Sequence, residues 1–139
     1  MSTQNQVGNT VTASVATAGR VLLATIFLLS GVSKLAAPAG TIGYIAAAGL
    51  PFPEVAYAAA VFVEVVLASA LILGYQTRIV AAAIAVFSLA TAFGFHADFA
   101  DQNQFIHFFK NVAIAGGLLQ VVAFGGGALS LDARRNRSN

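Results

Sequence analysis

Four long apolar stretches separated by short polar breaks organise the chain. They lie at about residues 18–37, 54–74, 78–97 and 105–124. None alternates apolar and polar residues, as a half-buried strand would. Each is apolar nearly all round. A helix of about twenty residues rises roughly 30 Å, the thickness of one bilayer core. The pattern therefore predicts four membrane-spanning helices. Pro38 and Gly40 stop the first, and Pro51 and Pro53 set up the second. Tyr75, Gln76 and Thr77 make a very short turn, and Gly125, Gly126 and Gly127 end the fourth. Connections this short join antiparallel neighbours, so the expected fold is an all-α, up-down-up-down four-helix bundle in the membrane.

The remaining segments complete the expected organisation. Residues 1–17 are small, polar and uncharged, and are expected to form a mobile tail. Residues 18–128 form the transmembrane domain, with a short interfacial helix expected over residues 41–48. Residues 97–104 are the most polar loop, and 129–139 form a basic, exposed tail. A signal peptide is the competing reading of the first stretch, with Arg20 ahead of it and Ala37-Pro38-Ala39 as a cleavage-like site. Lys34 just before that site, and the long uncharged leader, favour a retained span. Alanine triplets at 58–60 and 81–83 and the Gly116-Gly117 pair suit close helix approach in lipid.

Composition agrees with a membrane protein. Charged residues make up 9% of the chain, against about 25% in a soluble domain, and the mean hydropathy is +0.83. Cysteine is absent, which excludes disulfides, thiolate metal sites and cysteine redox relays. The charges are unevenly placed. An even number of spans puts both termini and the 75–77 turn on one side, with Arg20, Arg78, Arg134, Arg135 and Arg137. The other side has Lys34 and Lys110 inside helix ends, and Asp98 and Asp101. The positive-inside rule then predicts a multi-pass protein of a bacterial-type inner membrane with both termini cytoplasmic. Arg20 and Arg78 are read as topology or structural residues, with Arg78 near phosphate headgroups. The bilayer is the expected partner, and no nucleic acid is.

Glu64 is the position most in need of an explanation, because it falls near the middle of the second stretch. An ionisable group at that depth is costly and faces protein or a wet cavity. Helical phase puts Tyr57 and Glu64 on one face. It also gives stripes of Phe27, Ser30, Gly31 and Lys34; of Leu89, Ala92, Phe93 and His96; and of Lys110, Asn111, Ile114 and Gly117. Converging, these would build an outward-facing pocket with Lys34, Tyr57, Glu64, His96, Lys110 and Asn111 as ligand-binding candidates. Such a pocket suits a flat or anionic small molecule such as a quinone headgroup. Simpler roles compete with this one. Both lysines can snorkel to headgroups, His96 can cap a helix, and Glu64 can belong to a structural ion pair. His107, Asp98 and Asp101 read as a solvated rim. His96, His107 and Asp98 match no metal-ligand spacing, so no metal is expected.

These residues also resemble DoxX-type small membrane proteins, a four-helix family that includes DoxD-like subunits. The resemblance spans about residues 20–132. It rests on Phe27-Leu-Leu-Ser-Gly31-Val-Ser-Lys34, Ala48-Gly49-Leu50-Pro51, Glu64 and Gly74-Tyr-Gln-Thr-Arg78. Phe95-His96, Phe109-Lys110-Asn111 and Leu129-Ser-Leu-Asp132 complete it. The resemblance puts Lys34, Glu64, Arg78, His96, Lys110 and Asn111 on characteristic family positions. It implies a subunit of a quinone-linked oxidoreductase system, since DoxD-like relatives belong to a thiosulfate:quinone oxidoreductase. In that role Lys34 and Lys110 neutralise negative charge, and His96 and Glu64 relay protons. Electrons come from a redox partner protein or a bound organic cofactor, and whether the chain itself is an enzyme stays open. Two alternatives stand beside it: a non-enzymatic assembly or scaffold protein, and a small-solute transporter working as a parallel homo-oligomer.

Overall fold

The computed structural model describes residues 3–138. The elements are α1 (Thr3–Ala36), α2 (Pro38–Ala47), α3 (Pro53–Val61), a π-helical segment (Phe62–Leu67), α4 (Ala68–Leu73), α5 (Thr77–Phe95), α6 (Gln102–Phe124) and α7 (Leu131–Ser138). Backbone angles at Val61 and Ala68 are helical, so α3, the π segment and α4 run on as one span, Pro53–Leu73. No strand occurs among the described residues. Four helices among the described residues are long and apolar enough to cross a membrane, and within their apolar windows only 17% to 33% of residues are buried inside the protein. The rest of that apolar surface faces outward, and lipid is the solvent that accepts it without penalty. The chain is an all-α integral membrane bundle.

The first helix is longer than the sequence pattern suggests. It covers residues read above as a mobile tail, while Met1 and Ser2 lie outside the described residues. Its Thr12 and Thr17 hydroxyls donate to the carbonyls of Gly8 and Ala13 at 2.9 Å, so polar side chains are satisfied without leaving the helix. Ala13 is buried, and Ala16 packs against the Gly127 backbone. At 34 residues the helix is about 51 Å long, well beyond one bilayer core. Its part before Arg20 runs past the end of the bundle.

The start of the tail expected at 129–139 is folded onto that same end, while residues 134–138 are exposed. Arg20 is 1% exposed and donates to the carbonyls of Gly126 and Leu129. A side chain on Gly74 or on Gly126 would lie within 3 Å of the Arg20 guanidinium, so glycine is required at both. Asp132, at the start of α7, supplies what the third span lacks. Gln76, the N-cap residue of α5, sits at φ 44° and makes no side-chain cap. Asp132 instead accepts from the Gln76 and Thr77 backbone N–H groups, each at 2.8 Å, and from the Thr77 hydroxyl at 2.6 Å. A carboxylate here also meets the positive end of the α5 dipole. Burial opposes ionisation of Asp132, but the Thr77 and Gln76 donors and nearby Arg135 outweigh it and hold its pKa below the usual carboxylate value. Arginines dominate the composition of this tail, but its start is held by Asp132, by the Arg20 bond to Leu129 and by the Asp132 N–H donating to the Gly74 carbonyl at 3.0 Å.

The apolar core lies nearer this terminal end. Ala24, Ala68, Leu71, Ala81, Ile84 and Leu118 are wholly buried there. Small residues let the spans approach closely. At the opposite end the second span diverges. The third span packs on the π segment and α4, whereas α3 packs on α2 and α1. Space opens between the spans at that end.

Candidate functional site

The π segment puts Glu64 into that space. Phe62–Leu67 forms one wide turn in the middle of the second span, with Glu64 buried in it. Such turns are rare and distort the helix where they occur. Gly31 on the first span makes room for it. A Cβ at Gly31 would come within 2.7 Å of Val65 Cγ2 and 3.0 Å of Glu64 Cβ. The backbone of the first span therefore rests directly on the π turn. Ser30 and Lys34, one residue before and three after that contact, reach the carboxylate.

The result is a compact polar cluster. Lys34 Nζ lies 2.9 Å from both Glu64 oxygens, donating a hydrogen bond to Oε1 and pairing by charge with Oε2. It also donates to Ser30 Oγ at 2.7 Å, and Ser30 donates in turn to Glu64 Oε1 at 3.2 Å. The Glu64 side chain is 6% exposed and that of Lys34 is 23% exposed. At this depth a lone charge of either sign is expensive, so each is the condition for the other. Tyr57 braces the pair from behind by donating to the Lys34 carbonyl at 3.3 Å.

This cluster forms one wall of a cavity of about 520 Å³, within the usual size range of ligand sites. Lys34, Glu64, His96 and Asn111 line it together, with Ser30 beside them. Two other candidates do not. Tyr57 spends its hydroxyl on the Lys34 backbone, and Lys110 is exposed and outside the lining. The third-span stripe also differs from its expected membership. Phe87, Thr91 and Gly94 face the cavity; Leu89 and Phe93 face outward and Ala92 is buried in the bundle. The cause is His96, which follows the last helical residue with φ −132° and ψ 29°. It has left the helical register, so a face projected back from it falls on the wrong side.

Four polar lining residues, Ser30, Thr41, Tyr44 and Thr91, were not among the candidates. Thr41 and Tyr44 come from α2, which covers the end of the cavity. Tyr44 stacks on Phe95 with ring centroids 5.4 Å apart. A tyrosine in a connecting segment signals an interface residue as readily as a wall, so the sequence alone did not mark it. At the rim His96 stacks on His107 at 5.1 Å. Burial, then His107 and Lys110, push the His96 pKa below its ordinary value, which favours a neutral ring at pH 7. The neighbouring Phe93, Phe99, Phe105, Phe108 and Phe109 form an aromatic cluster joining the 96–101 loop to the third and fourth spans.

Comparison with known proteins adds identity to this geometry. The DoxX family model matches residues 15–97. Inner membrane protein YphA of Escherichia coli strain K12 is 38% identical over 121 residues, covering 83% of this chain and 86% of the relative. Inner membrane protein YqjF of the same organism is 36% identical over 121 residues, covering 85% and 89%. No solved structure matches the chain significantly. A family model over more than half the chain, and two inner-membrane relatives over most of it, agree with the four spans: the chain belongs to the DoxX family of integral membrane proteins.

Proposed function

We propose that this protein is the membrane subunit of a quinone-linked oxidoreductase system in a bacterial-type inner membrane, with the cavity holding the quinone headgroup. The observation that carries the reading is the cavity itself. One space of about 520 Å³ joins apolar and aromatic walls to Lys34, Ser30, Glu64, His96 and Asn111. A quinone ring needs flat apolar contacts and a few donors for its carbonyl oxygens. Lys34 and Asn111 provide donors; Glu64 and His96 provide groups that can hold a proton. Bound quinone supplies two-electron chemistry coupled to protons. This chain would bind and orient the ring and keep water from it. Electrons would come from a partner protein or an organic cofactor bound by one.

A second reading is supported by the closure of the Lys34–Glu64 pair. The two charges satisfy one another and Ser30, as a purely structural clamp in a scaffold protein would. Mass analysis of small molecules co-purifying in mild detergent separates the two. A quinone retained by the native protein and lost from a folded Lys34→Ala/Glu64→Gln variant is the expected outcome. No quinone on the native protein, with the variant less stable than the native one, would favour the scaffold.

A further inference from the structure

Within the quinone reading, on which this inference rests, the cavity has two different ends. Lys34, Ser30, Thr41 and His96 lie near the ends of their elements. Ile26 lies eight residues before Lys34 on the same helix, about 12 Å deeper into the bundle. Phe87 lies about as deep relative to His96 on the third span. Glu64 and Asn111 lie deeper, toward mid-span, so the polar groups run down one side of the cavity while the lining at Ile26, Phe27 and Phe87 is apolar.

Below the end under α2, the cavity is open sideways. Ile26 lines the cavity yet is 46% exposed. Ala59 and Ala90, on the second and third spans, also line it and are exposed. All three sit within membrane-spanning helices, where the surrounding medium is hydrocarbon. The end under α2 is roofed. Ile45 of α2 is 4% exposed and faces the cavity, Tyr44 is stacked on Phe95, and Leu50 lies against Gly94. The polar wall has no net charge to offer, because Lys34 and Glu64 cancel at 2.9 Å. An anion entering would lose its hydration without gaining a free counter-charge.

We infer that the cavity is loaded from the bilayer, beneath α2, and takes a neutral amphiphile whose polar ring seats against Lys34 and whose single apolar tail leaves past Ile26 and Ala90. The tail then contributes to retention through lipid-depth contacts, and water-soluble anions are excluded.

The test uses the full-length protein in phosphatidylcholine nanodiscs, with retained ligand measured by native mass spectrometry. The probes are a benzoquinone carrying a ten-carbon tail, the same ring without a tail, and a ten-carbon carboxylate, compared at equal concentration in the bilayer. The tailed quinone is expected to be retained at least tenfold better than either other probe. Ile26→Trp and Ala90→Phe, on separate spans, narrow the side opening, and each is expected to lower retention of the tailed quinone tenfold or more. Two positions guard against one variant misfolding, and the tail comparison on the native chain needs no variant. Equal retention of both ring compounds, unchanged by either substitution, would overturn bilayer loading while leaving the quinone reading intact. Carboxylate bound as tightly as quinone would overturn the neutral-head requirement. Failure to retain either ring compound would instead reject the quinone reading, and this inference with it.

Discussion

At the residue scale, Lys34 and Glu64 form a unit whose value appears only when one member is removed. Lys34→Met leaves a carboxylate that is 6% exposed without its counter-ion. We expect a loss of about 3 kcal/mol, the low end for a broken buried pair because Lys34 retains some exposure. Replacing both by methionine is expected to recover much of that loss, since two apolar groups leave no buried charge. Equilibrium unfolding in mild detergent checks the cycle. A double variant as unstable as the worse single one would mean that the pair does not act as a unit. Tyr57→Phe removes one 3.3 Å hydrogen bond to the Lys34 carbonyl and is expected to cost about 1 kcal/mol, while leaving ligand retention nearly unchanged.

At the element scale, two contacts decide how the helices meet. Gly31→Ala forces a methyl toward Val65 and the Glu64 backbone. The Val65 methyl can rotate, but the π turn cannot retreat without moving the carboxylate. Overpacking of this kind costs about 1–3 kcal/mol, and a lengthened Lys34–Glu64 distance should accompany it in a structure of the variant. At the other end, Asp132 ties α7 to the start of α5. Its folded pKa is depressed, so its contribution to stability is present above the unfolded value of 3.8 and is lost as pH falls through the folded pKa. Hydrogen-exchange protection of Gln76 and Thr77, relative to the intrinsic rate at each pH, should therefore fall below about pH 4. Asp132→Asn should give fast exchange at those amides already at neutral pH. Protection unaffected by either change would show that α7 is held by other contacts.

At the scale of the whole molecule, the bundle divides into a closed half and an open half. Alanine, isoleucine and leucine fill the half near the termini, where Arg20 and Asp132 also lock the chain ends. The opposite half trades that packing for a cavity under α2. The distribution of arginines sets an expected orientation. Arg20, Arg78, Arg134, Arg135 and Arg137 share the terminal end, so we propose that both termini face the cytoplasm and that the cavity lies toward the outer side. A reporter active only in the cytoplasm should work when fused after residue 139, and should fail when inserted at Ala100 in the exposed loop. The reverse pattern would invert the orientation and put the cavity on the cytoplasmic side.

The sequence by itself determined the membrane class, the four spans and their antiparallel order. These depend on local properties: runs of apolar residues, Pro38 and Pro53, the 75–77 turn and the glycines at 125–127. It also named Lys34, Glu64, His96 and Asn111, because polar groups inside apolar runs stand out one at a time. Their grouping into one cavity was legible only as helical phase, and phase failed wherever the helix was not regular. His96 had stepped off the third helix, and the π segment altered the second. Only the tertiary structure decided that Lys34 pairs with Glu64 across 30 positions of chain, that Arg20 reaches Leu129 across 109, and that Asp132 caps the third span across 55. It also decided that Tyr57 supports the pair and that α2 roofs the cavity. The physical reason is common to all of these. Hydropathy acts on each segment separately, whereas a buried charge or an uncapped helix end is satisfied by whichever distant group packing brings within about 3 Å.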